Sequence, residues 1–448
     1  MHMSSTSQLS DRCLLGNYGR LPLVPERGAG TWLWDAEGKK YLDFACGIAV
    51  CSLGHCPPAI TAAIHAQVDK LIHCSNLYQI PGQAELAARL VDDVVGAPGK
   101  CFFCNSGAEA NEALIKLARR FGHAVPQPDG TPRHEILTFT NSFHGRTMAG
   151  ISATGQEKMK AGFGPLLPGF RHLPFNDAGA LRGAIAPGTA AVMVEPVQGE
   201  GGIHVATAGF LGELAEICAE FQILLLMDEV QCGLGRSGDP CAWRTVMGGA
   251  TLTPDAVSWA KGLGGGFPIG AVWISDRPVA PPDREQIPLS SLLPPGSHGT
   301  TFGGSPLASA VGLAVLAEIV ASGLCANAAA QGKHILHQVG GWGDLAALEG
   351  LRGVGLMLGF VLDGEAVSRH PEMAGESRTP AAFVVGKLME AGLLTAPAGA
   401  GVVRWLPPLN VTREEVDEAL SIMHRVLAEI SGALLPADAT TTTTATES

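Results

Sequence analysis

Short runs of apolar residues alternate with longer amphipathic stretches between about residues 60 and 315. Such runs are CFFC (101–104), EILTF (135–139), AAVMV (190–194), ILLLM (223–227) and AVSWA (256–260), with stretches such as EANEALIKLARR (109–120) between them. Strands that are apolar throughout suit a sheet covered on both faces, so the pattern predicts βαβ units and an α/β fold with a mostly parallel sheet. Functional side chains are then expected in loops at the carboxyl ends of these strands.

Two smaller pieces flank this region. TWLWDAEGKKYLDF (31–44) predicts two short strands about a turn, and the residues after 315 predict further strands and helices, as in LRGVGLMLGFVL and TREEVDEALSIMHRVLAEI. A chain of 448 residues is too long for one continuous core. We therefore expect a large domain over 61–315 and a small α+β domain that combines 1–60, its N-terminal part, with 316–435. The Thr-rich tail, 436–448, is predicted to be disordered.

Composition excludes several classes of protein. The chain is 46% hydrophobic and 16% charged with a formal net charge of -12, and it has no dense Lys/Arg block, so we expect no nucleic-acid partner. No apolar run approaches the length of a membrane span, and the first residues carry no apolar signal core, which predicts a cytoplasmic protein. The 11 cysteines are scattered, and Cys101 and Cys104 lack a second pair for a zinc site. We expect reduced thiols and no metal.

The segment CNSGAEANEALIKLARR begins with a small-residue turn and continues as an amphipathic helix that should start near Gly107 or Ala108. The first free N–H groups of this helix, together with the Ser106 hydroxyl, would form an anion site suited to a phosphate. The alternative is a helix that Ser106 merely caps.

Three further positions have chemistry that suits a bound heterocycle. In the loop TNSFHGRTMAG, Phe143 could cover a flat ring and Arg146 could bind a carboxylate. Asp228 follows the apolar run ILLLM, where a buried carboxylate needs a cationic partner such as a protonated ring nitrogen. A plain helix cap is the alternative for Asp228, and the neighbouring Glu229 has only a structural explanation.

Lys261 lies between an apolar strand and the glycine-rich loop GLGGGFPIG. A desolvated lysine amine forms Schiff bases readily, because burial disfavours its charged form. The loop lacks the G-x-G-x-x-G frame of a dinucleotide site and continues into Pro268 rather than a helix. A phosphate site, a ring-covering Phe, an acid and this lysine together suit pyridoxal 5'-phosphate.

The motifs occur in an order that identifies a family. They are NSGAEANEALIKLAR, SFHGRT, EPVQGEGG, MDEVQCGLGRSG, AKGLGGGFPIGA, HGTTFGGSP and LRGVGLMLG. Over nearly its whole length the chain resembles the class III pyridoxal-phosphate-dependent aminotransferases, most closely their acetylornithine branch. The resemblance implies fold type I, with a seven-stranded sheet in the large domain.

The resemblance also assigns roles around the cofactor. Lys261 would hold the cofactor covalently, Asp228 would pair with the pyridine nitrogen, and Phe143 would stack on the ring. The phosphate would be bound by Ser106, Gly107 and Ala108, and the phenolic oxygen would lie near Gln231. Thr301 would reach the phosphate of the neighbouring subunit's cofactor, which implies a homodimer with shared active sites.

Three residues are implied in substrate binding. Arg404 would bind a substrate carboxylate, Glu200 could pair with that arginine, and Arg146 would bind a second carboxylate. The implied reaction moves an amino group from N-acetylornithine to 2-oxoglutarate, which would serve arginine biosynthesis. Ile48 replaces a tyrosine common in ornithine aminotransferases, which weighs against free ornithine. Ornithine, 4-aminobutyrate and succinyl-diaminopimelate remain alternative donors, and an aminomutase or a dehydrogenase remains an alternative class.

Overall fold

The computed structural model describes residues 5–282, 285–375 and 377–434. Its first element, α1 (Ser5–Cys13), lies in the polar N-terminal stretch whose sequence shows no periodicity. The predicted disordered tail lies outside the described residues.

The N-terminal part continues with a meander and two helices, namely β1 (Pro25–Ala29), β2 (Trp32–Asp35), β3 (Lys40–Asp43), α2 (Cys46–Ala49) and α3 (Pro58–Val68). β2 and β3 pair antiparallel about the DAEGK turn, as predicted. Helix α2 is a single left-handed turn, with φ of 46° at Cys46, 62° at Ile48 and 64° at Ala49. A left-handed backbone costs non-glycine residues energy, so the surrounding structure must hold this turn in place.

The central part alternates strands and helices, as the apolar runs predict. Its elements are α4 (Pro81–Arg89), β4 (Gly99–Cys104), α5 (Gly107–Ala124), β5 (Glu135–Phe139), α6 (Met148–Ala153), β6 (Phe170–Leu173), α7 (Ala178–Ala184), β7 (Thr189–Val194), β8 (Val197–Gln198), β9 (His204–Val205), α8 (Ala208–Glu220), β10 (Leu224–Asp228), α9 (Ala242–Met247), β11 (Ala256–Trp259), β12 (Gly270–Ser275), β13 (Pro278–Val279), β14 (Ile287–Pro288) and α10 (Pro306–Ala321).

Seven of these strands form one sheet in the order β4-β12-β11-β10-β7-β5-β6. β12 runs antiparallel to both of its neighbours, and the other neighbouring strands pair in parallel. The prediction of a mostly parallel seven-stranded sheet is therefore confirmed. Because β12 reverses direction, β4 points the same way as β11, and their carboxyl ends meet at one edge.

Both faces of this sheet are buried, which explains why its strands are apolar throughout. In β10, Leu225 and Met227 belong to one hydrophobic cluster, whereas Leu224 and Leu226 belong to another. Successive side chains of a strand point to opposite faces, so the two clusters are the packing layers on the two sides of the sheet. A run such as ILLLM therefore supplies apolar side chains to both layers.

The C-terminal part contains α11 (Leu324–Val339), β15 (Leu348–Val354), β16 (Met357–Leu362), α12 (Gly364–Ser368), α13 (Pro380–Glu390), β17 (Leu393–Leu394), β18 (Ala396–Ala398), β19 (Val402–Trp405) and α14 (Arg413–Gly432). Four of its strands form a sheet in the order β15-β16-β19-β18, and β17 pairs in parallel with β3. Thr412 and Glu415 form a capping box at the start of α14, which satisfies N–H groups that the first turn leaves free.

The expected domain boundaries at 60 and 315 fall inside α3 and α10. Both helices supply residues to the cluster that contains Leu42 and Trp405, including Ile60 and Val315. The division into domains stays a prediction. Among the described residues, no single helix is long and apolar enough to cross a membrane; α10 and α11 meet that description only jointly, with a bend of 62° between them.

Candidate active site

A cavity of about 390 Å³ opens at the carboxyl edge of the large sheet. Eight residues selected from the sequence line it, namely Ser106, Gly107, Ala108, Phe143, Arg146, Asp228, Gln231 and Lys261. They follow four different strands, so the fold rather than local sequence brings them together. Residues not selected from the sequence also line it, among them Asn111, His144 and Glu195.

The predicted anion site lies at the start of α5. Ser106 is the N-cap residue, and its hydroxyl accepts a hydrogen bond from the Glu109 N–H (3.3 Å) and donates one to Glu109 Oε2 (3.1 Å). A Cβ at Gly107 would lie 2.6 Å from Val230 Cγ1, so this position requires glycine. Ser106, Gly107 and Ala108 line the cavity at the start of this helix, where free first-turn N–H groups suit a phosphate.

Asp228 ends β10 and is almost completely buried. Its Oδ2 accepts hydrogen bonds from Asn111 Nδ2 (2.7 Å) and contacts His144 Nδ1 (2.8 Å), while Oδ1 accepts one from the Val230 N–H (3.0 Å). Ser258 donates to the amide oxygen of Asn111 (2.7 Å), which turns the amide nitrogen towards Asp228. These contacts fix the position of the Asp228 carboxyl group beside the cavity.

His144 is fully buried, and the state of its ring follows from Asp228. Burial alone would lower the pKa of the imidazole, but the hydrogen bond and charge of Asp228 outweigh it, so the pKa of His144 is raised. An imidazole held in this way donates from Nδ1 to the carboxylate. His144 and Asn111 therefore hold the Asp228 carboxyl group in place through its Oδ2.

Lys261 follows β11 in a strained backbone conformation, with φ of 43°. Burial lowers the pKa of its amine more than the nearby Glu200 carboxylate raises it. The Ser52 hydroxyl donates to the carbonyl of Gly262 (3.0 Å), and the Ser52 carbonyl accepts from the Leu409 N–H (2.7 Å). Ser52 thus joins the lysine turn to both ends of the chain.

Arg404, Glu200 and Gln231 form a three-membered cluster beside the cavity. Arg404 lies on β19 and is buried, and Glu200 lies in the turn between β8 and β9. Arg404 Nη1 donates to Glu200 Oε1 (2.7 Å) and to Gln231 Oε1 (2.7 Å), and Nη2 lies 3.3 Å from Glu200 Oε2. Burial would raise the pKa of Glu200, but the charge of Arg404 lowers it overall.

Arg146 and Phe143 lie together on the loop after β5. The Arg146 guanidinium is exposed and lies 5.7 Å from the centroid of the Phe143 ring. Glu195 links this loop to the turn after β8. One of its oxygens accepts a hydrogen bond from the Phe143 N–H (2.9 Å) and the other accepts one from the Gly199 N–H (3.2 Å). Burial raises the pKa of Glu195 to about 7.

Thr301, like Glu200 and Arg404, is a predicted site residue that does not line this cavity. Its side chain is exposed, whereas the neighbouring Thr300 contacts the site by accepting a hydrogen bond from Asn105 Nδ2 (3.3 Å). The role of Thr301 towards a neighbouring subunit stays a prediction.

Glu229 faces away from this chemistry. Its Oε1 accepts a hydrogen bond from the Trp243 N–H (3.0 Å), and burial raises its pKa to about 8. A Cβ at Gly233 would lie 2.6 Å from its Oε2, so glycine there leaves room for the carboxyl group. The pair of acids in MDEVQCG is thus split between a carboxylate beside the cavity and a packed structural one. Cys101 and Cys104 of β4 have likewise no place in this chemistry: Cys101 is half-buried and Cys104 buried, and burial raises the pKa of each thiol to about 12.

The sequence reasoning missed Asn111, His144 and Glu195. His144 lies inside the quoted loop SFHGRT, and a histidine next to the selected Phe143 was the available signal. Asn111 lies one helical turn after the phosphate turn, on the buried face of α5. Glu195 directly follows an apolar strand, as Asp228 does, so the argument that selected one acid applies equally to the other.

The mostly parallel sheet, with a lysine, an aspartate and a helix N-terminus at its carboxyl edge, defines a fold type I pyridoxal-phosphate enzyme. The sequence profile described as aminotransferase class-III matches residues 16–427, and the chain belongs to that family. It is therefore an aminotransferase.

Curated and solved relatives agree with this assignment. The chain is 44% identical over 426 residues to the acetylornithine aminotransferase of Caldanaerobacter subterraneus subsp. tengcongensis, covering 93% of this chain and 98% of the relative. The N-acetylornithine aminotransferase structure from Stenotrophomonas maltophilia has a TM-score of 0.75 at 34% identity and covers 95% and 99% of the two chains. The ornithine aminotransferase structure from Toxoplasma gondii has a TM-score of 0.84 at 30% identity and covers 95% and 94%.

Proposed function

We propose that the protein transfers the δ-amino group of N-acetylornithine to 2-oxoglutarate with pyridoxal 5'-phosphate as cofactor, giving N-acetylglutamate 5-semialdehyde and glutamate. The main support is that Arg404 is paired with Glu200, whereas Arg146 is exposed at the cavity. One exposed arginine suits a substrate with a single carboxylate far from the reacting amine. The curated acetylornithine aminotransferases support the same donor, and this activity would serve arginine biosynthesis in the cytoplasm.

The residues of the cavity suit this cofactor. The phosphate would be bound by Ser106, Gly107 and Ala108 at the N-terminus of α5, and Phe143 would cover the ring. Asp228 would face the pyridine nitrogen, held in position by its contacts with Asn111 and His144. When bound, the cofactor supplies an electron sink for the charge left after proton loss from the substrate carbon.

Lys261 would hold the cofactor and move the proton. Because burial lowers the pKa of its amine, a larger fraction is neutral near pH 7 than for an exposed lysine. A neutral amine can take a proton from the substrate carbon and deliver it to a second carbon nearby. The bond from Ser52 to Gly262 orients the turn that carries this amine.

The two arginines explain how one cavity could accept two kinds of donor. N-acetylornithine would place its carboxylate on Arg146 and leave the ion pair between Glu200 and Arg404 intact. Glutamate reacts at its α-amine and needs a second carboxylate site, which opens if Glu200 releases Arg404. Glu200 therefore acts as a switch between the two half-reactions.

We also propose a homodimer in which Thr301 of one subunit reaches the cofactor phosphate of the other. An apolar patch beside Thr301 supports this arrangement, formed by Leu71, Ile72, Leu77, Tyr78 and Phe302, whose exposed fractions run from 48% to 89%. Exposed apolar patches of this kind commonly mark protein interfaces. Sedimentation should give a dimer, and Phe302→Asp should weaken it; a monomer that retains full activity would contradict the shared site.

Free ornithine is a less suitable donor in this cavity. Its α-amino group is charged where N-acetylornithine carries an amide, and Ile48 offers no polar atom to such a group. Ile48 is 38% exposed and lies in the left-handed turn that precedes Val50, a residue that lines the cavity. Ornithine is therefore expected to react more slowly than N-acetylornithine. For 4-aminobutyrate and succinyl-diaminopimelate the same order is expected because the curated relatives are acetylornithine aminotransferases.

The two half-reactions can be tested separately. Stoichiometric N-acetylornithine without an oxo acid should bleach the yellow holoenzyme and release one equivalent of aldehyde product. Subsequent 2-oxoglutarate should restore the colour and yield one equivalent of glutamate. An aminomutase would instead regenerate its own amino group and give no net aldehyde, and a protein that is colourless after incubation with the cofactor would contradict the proposal.

A further inference from the structure

We propose that Gln231 is part of the carboxylate site at Arg404, where its amide nitrogen donates a hydrogen bond first to Glu200 and then to the substrate α-carboxylate that replaces it. This inference rests on the proposed function, because it specifies how the second carboxylate is recognised. It gives Gln231 a role in substrate specificity in addition to its expected place near the cofactor.

The contacts of the amide determine its orientation. Gln231 Oε1 accepts from Arg404 Nη1 (2.7 Å), and Nε2 donates to Glu200 Oε1 (3.2 Å). Rotating the amide by half a turn would place its NH₂ group against the guanidinium and its oxygen against the carboxylate, so both contacts would become repulsive. The charges on either side therefore allow only one orientation.

The backbone holds the amide in this position. A Cβ at Gly199 would lie 2.3 Å from Gln231 Oε1, so the glycine backbone lies directly against the amide. Glu195 in turn fixes the Gly199 N–H. Gln231 is also almost fully buried, and it can therefore remain in place when Glu200, which is partly exposed, moves away.

The carboxylate of Glu200 marks where a substrate carboxylate would bind. Its Oε1 receives hydrogen bonds from both Arg404 Nη1 and Gln231 Nε2. A substrate carboxylate in the same place would find the same two donors. Arg404 Nη2, which lies 3.3 Å from Glu200 Oε2, would face the second oxygen of such a carboxylate. The site would thus bind a carboxylate through hydrogen bonds from the Gln231 amide and the Arg404 guanidinium together.

Two substitutions of similar volume separate this role from cofactor binding. Gln231→Met removes the donor and the acceptor, and Gln231→Glu keeps an acceptor for Arg404 but replaces the donor with a second negative charge. A hydrogen bond to a charged group corresponds to about a 10- to 100-fold change in an equilibrium. We expect Gln231→Met to lower kcat/KM for both donors, because Gln231 also lies near the cofactor, and to lower that for glutamate by about this factor more than that for N-acetylornithine. Gln231→Glu should impair glutamate further, because it repels the carboxylate.

A binding measurement supplies a readout that does not depend on chemistry. Glutarate is a non-reacting dicarboxylate that would bridge Arg146 and Arg404, and its Kd for the holoenzyme should rise about tenfold in Gln231→Met. Equal losses for both amino donors with an unchanged glutarate Kd would overturn the proposal and leave Gln231 with the cofactor alone. If N-acetylornithine proves not to be a substrate, 4-aminobutyrate replaces it as a donor that has no carboxylate on the carbon bearing the reacting amine. A selective loss for glutamate would then still support the role of Gln231 although the proposed donor had failed.

Discussion

Replacing Asp228 with asparagine removes one negative charge beside the cavity and changes little else in shape. The oxygen of the new amide can still accept a hydrogen bond from the Val230 N–H. The NH₂ group of the new amide, however, would face Asn111 Nδ2 and His144 Nδ1, the two nitrogens that contact the Asp228 carboxyl group in the wild type. The histidine can respond by losing its Nδ1 proton and accepting instead. We therefore expect the substitution to lower the pKa of His144 and to leave the protein folded.

The expected loss of activity follows from electrostatics. A preorganised charge or donor that stabilises a transition state is worth about 2.7 to 4 kcal/mol, or roughly 10²- to 10³-fold in kcat. Asp228 is almost fully buried, so solvent would not screen its charge, and the loss should be at least about a hundredfold. Binding of the cofactor phosphate at α5 should be retained, because that site does not involve Asp228.

The neighbouring acid supplies a matched control. Glu229→Gln changes a buried carboxyl group at the next position, but that group contacts the Trp243 N–H rather than the cavity, and its raised pKa of about 8 already keeps it largely protonated at pH 7. Single-turnover bleaching by N-acetylornithine should slow at least about a hundredfold in Asp228→Asn and less than about threefold in Glu229→Gln. Equal effects of the two substitutions, or a rate near the wild type in Asp228→Asn, would refute the assignment of Asp228.

Three further predictions concern other parts of the site. Lys261→Ala should abolish multiple turnover, and borohydride should no longer link the cofactor covalently to the protein; a reducible adduct at the same site would show that another lysine is used. Glu200→Ala should free Arg404 and raise the ratio of kcat/KM for glutamate to that for N-acetylornithine, whereas an equal loss for both donors would count against the switch. The raised pKa of Glu229, about 8 against an ordinary 4.5, means that the folded protein retains a proton which the unfolded chain loses. The stabilising contribution of this proton is complete below about pH 4.5 and is lost as the pH rises to about 8, by up to about 1.4 kcal/mol per pH unit. Urea unfolding should therefore show a smaller fall in Glu229→Gln than in the wild type, because Glu195, whose pKa is raised to about 7, contributes to the fall in both proteins.

Much of the fold could be predicted because the buried sheet imposes its pattern on the sequence. Strands such as β10 and β7 must be apolar on both faces, so they stand out as uninterrupted runs. The polar residue that follows each run then marks the catalytic edge. The same reasoning placed Asp228 and Lys261 at one edge without any knowledge of strand order. It also separated Asp228, which suits a protonated ring nitrogen, from Glu229, for which it offered only a structural explanation.

The remaining contacts could not be predicted, because they join residues that are far apart in the chain. Asn111 contacts Asp228 across 117 positions, and Gln231 contacts Arg404 across 173. A buried amide in an amphipathic helix leaves no periodic signal that distinguishes it from a packing residue. The left-handed turn at Cys46–Ala49 is similarly hidden, because only one of its four residues is a glycine.

The most direct test of the central claim is a comparison of amino donors with purified enzyme, 2-oxoglutarate and added cofactor. N-acetylornithine, ornithine, 4-aminobutyrate and succinyl-diaminopimelate should be ranked by kcat/KM under the same conditions. We expect N-acetylornithine to rank first. Ornithine should rank well below it, because Ile48 offers no polar atom to the charged α-amine of ornithine. A higher kcat/KM for ornithine or 4-aminobutyrate than for N-acetylornithine would contradict the proposed function.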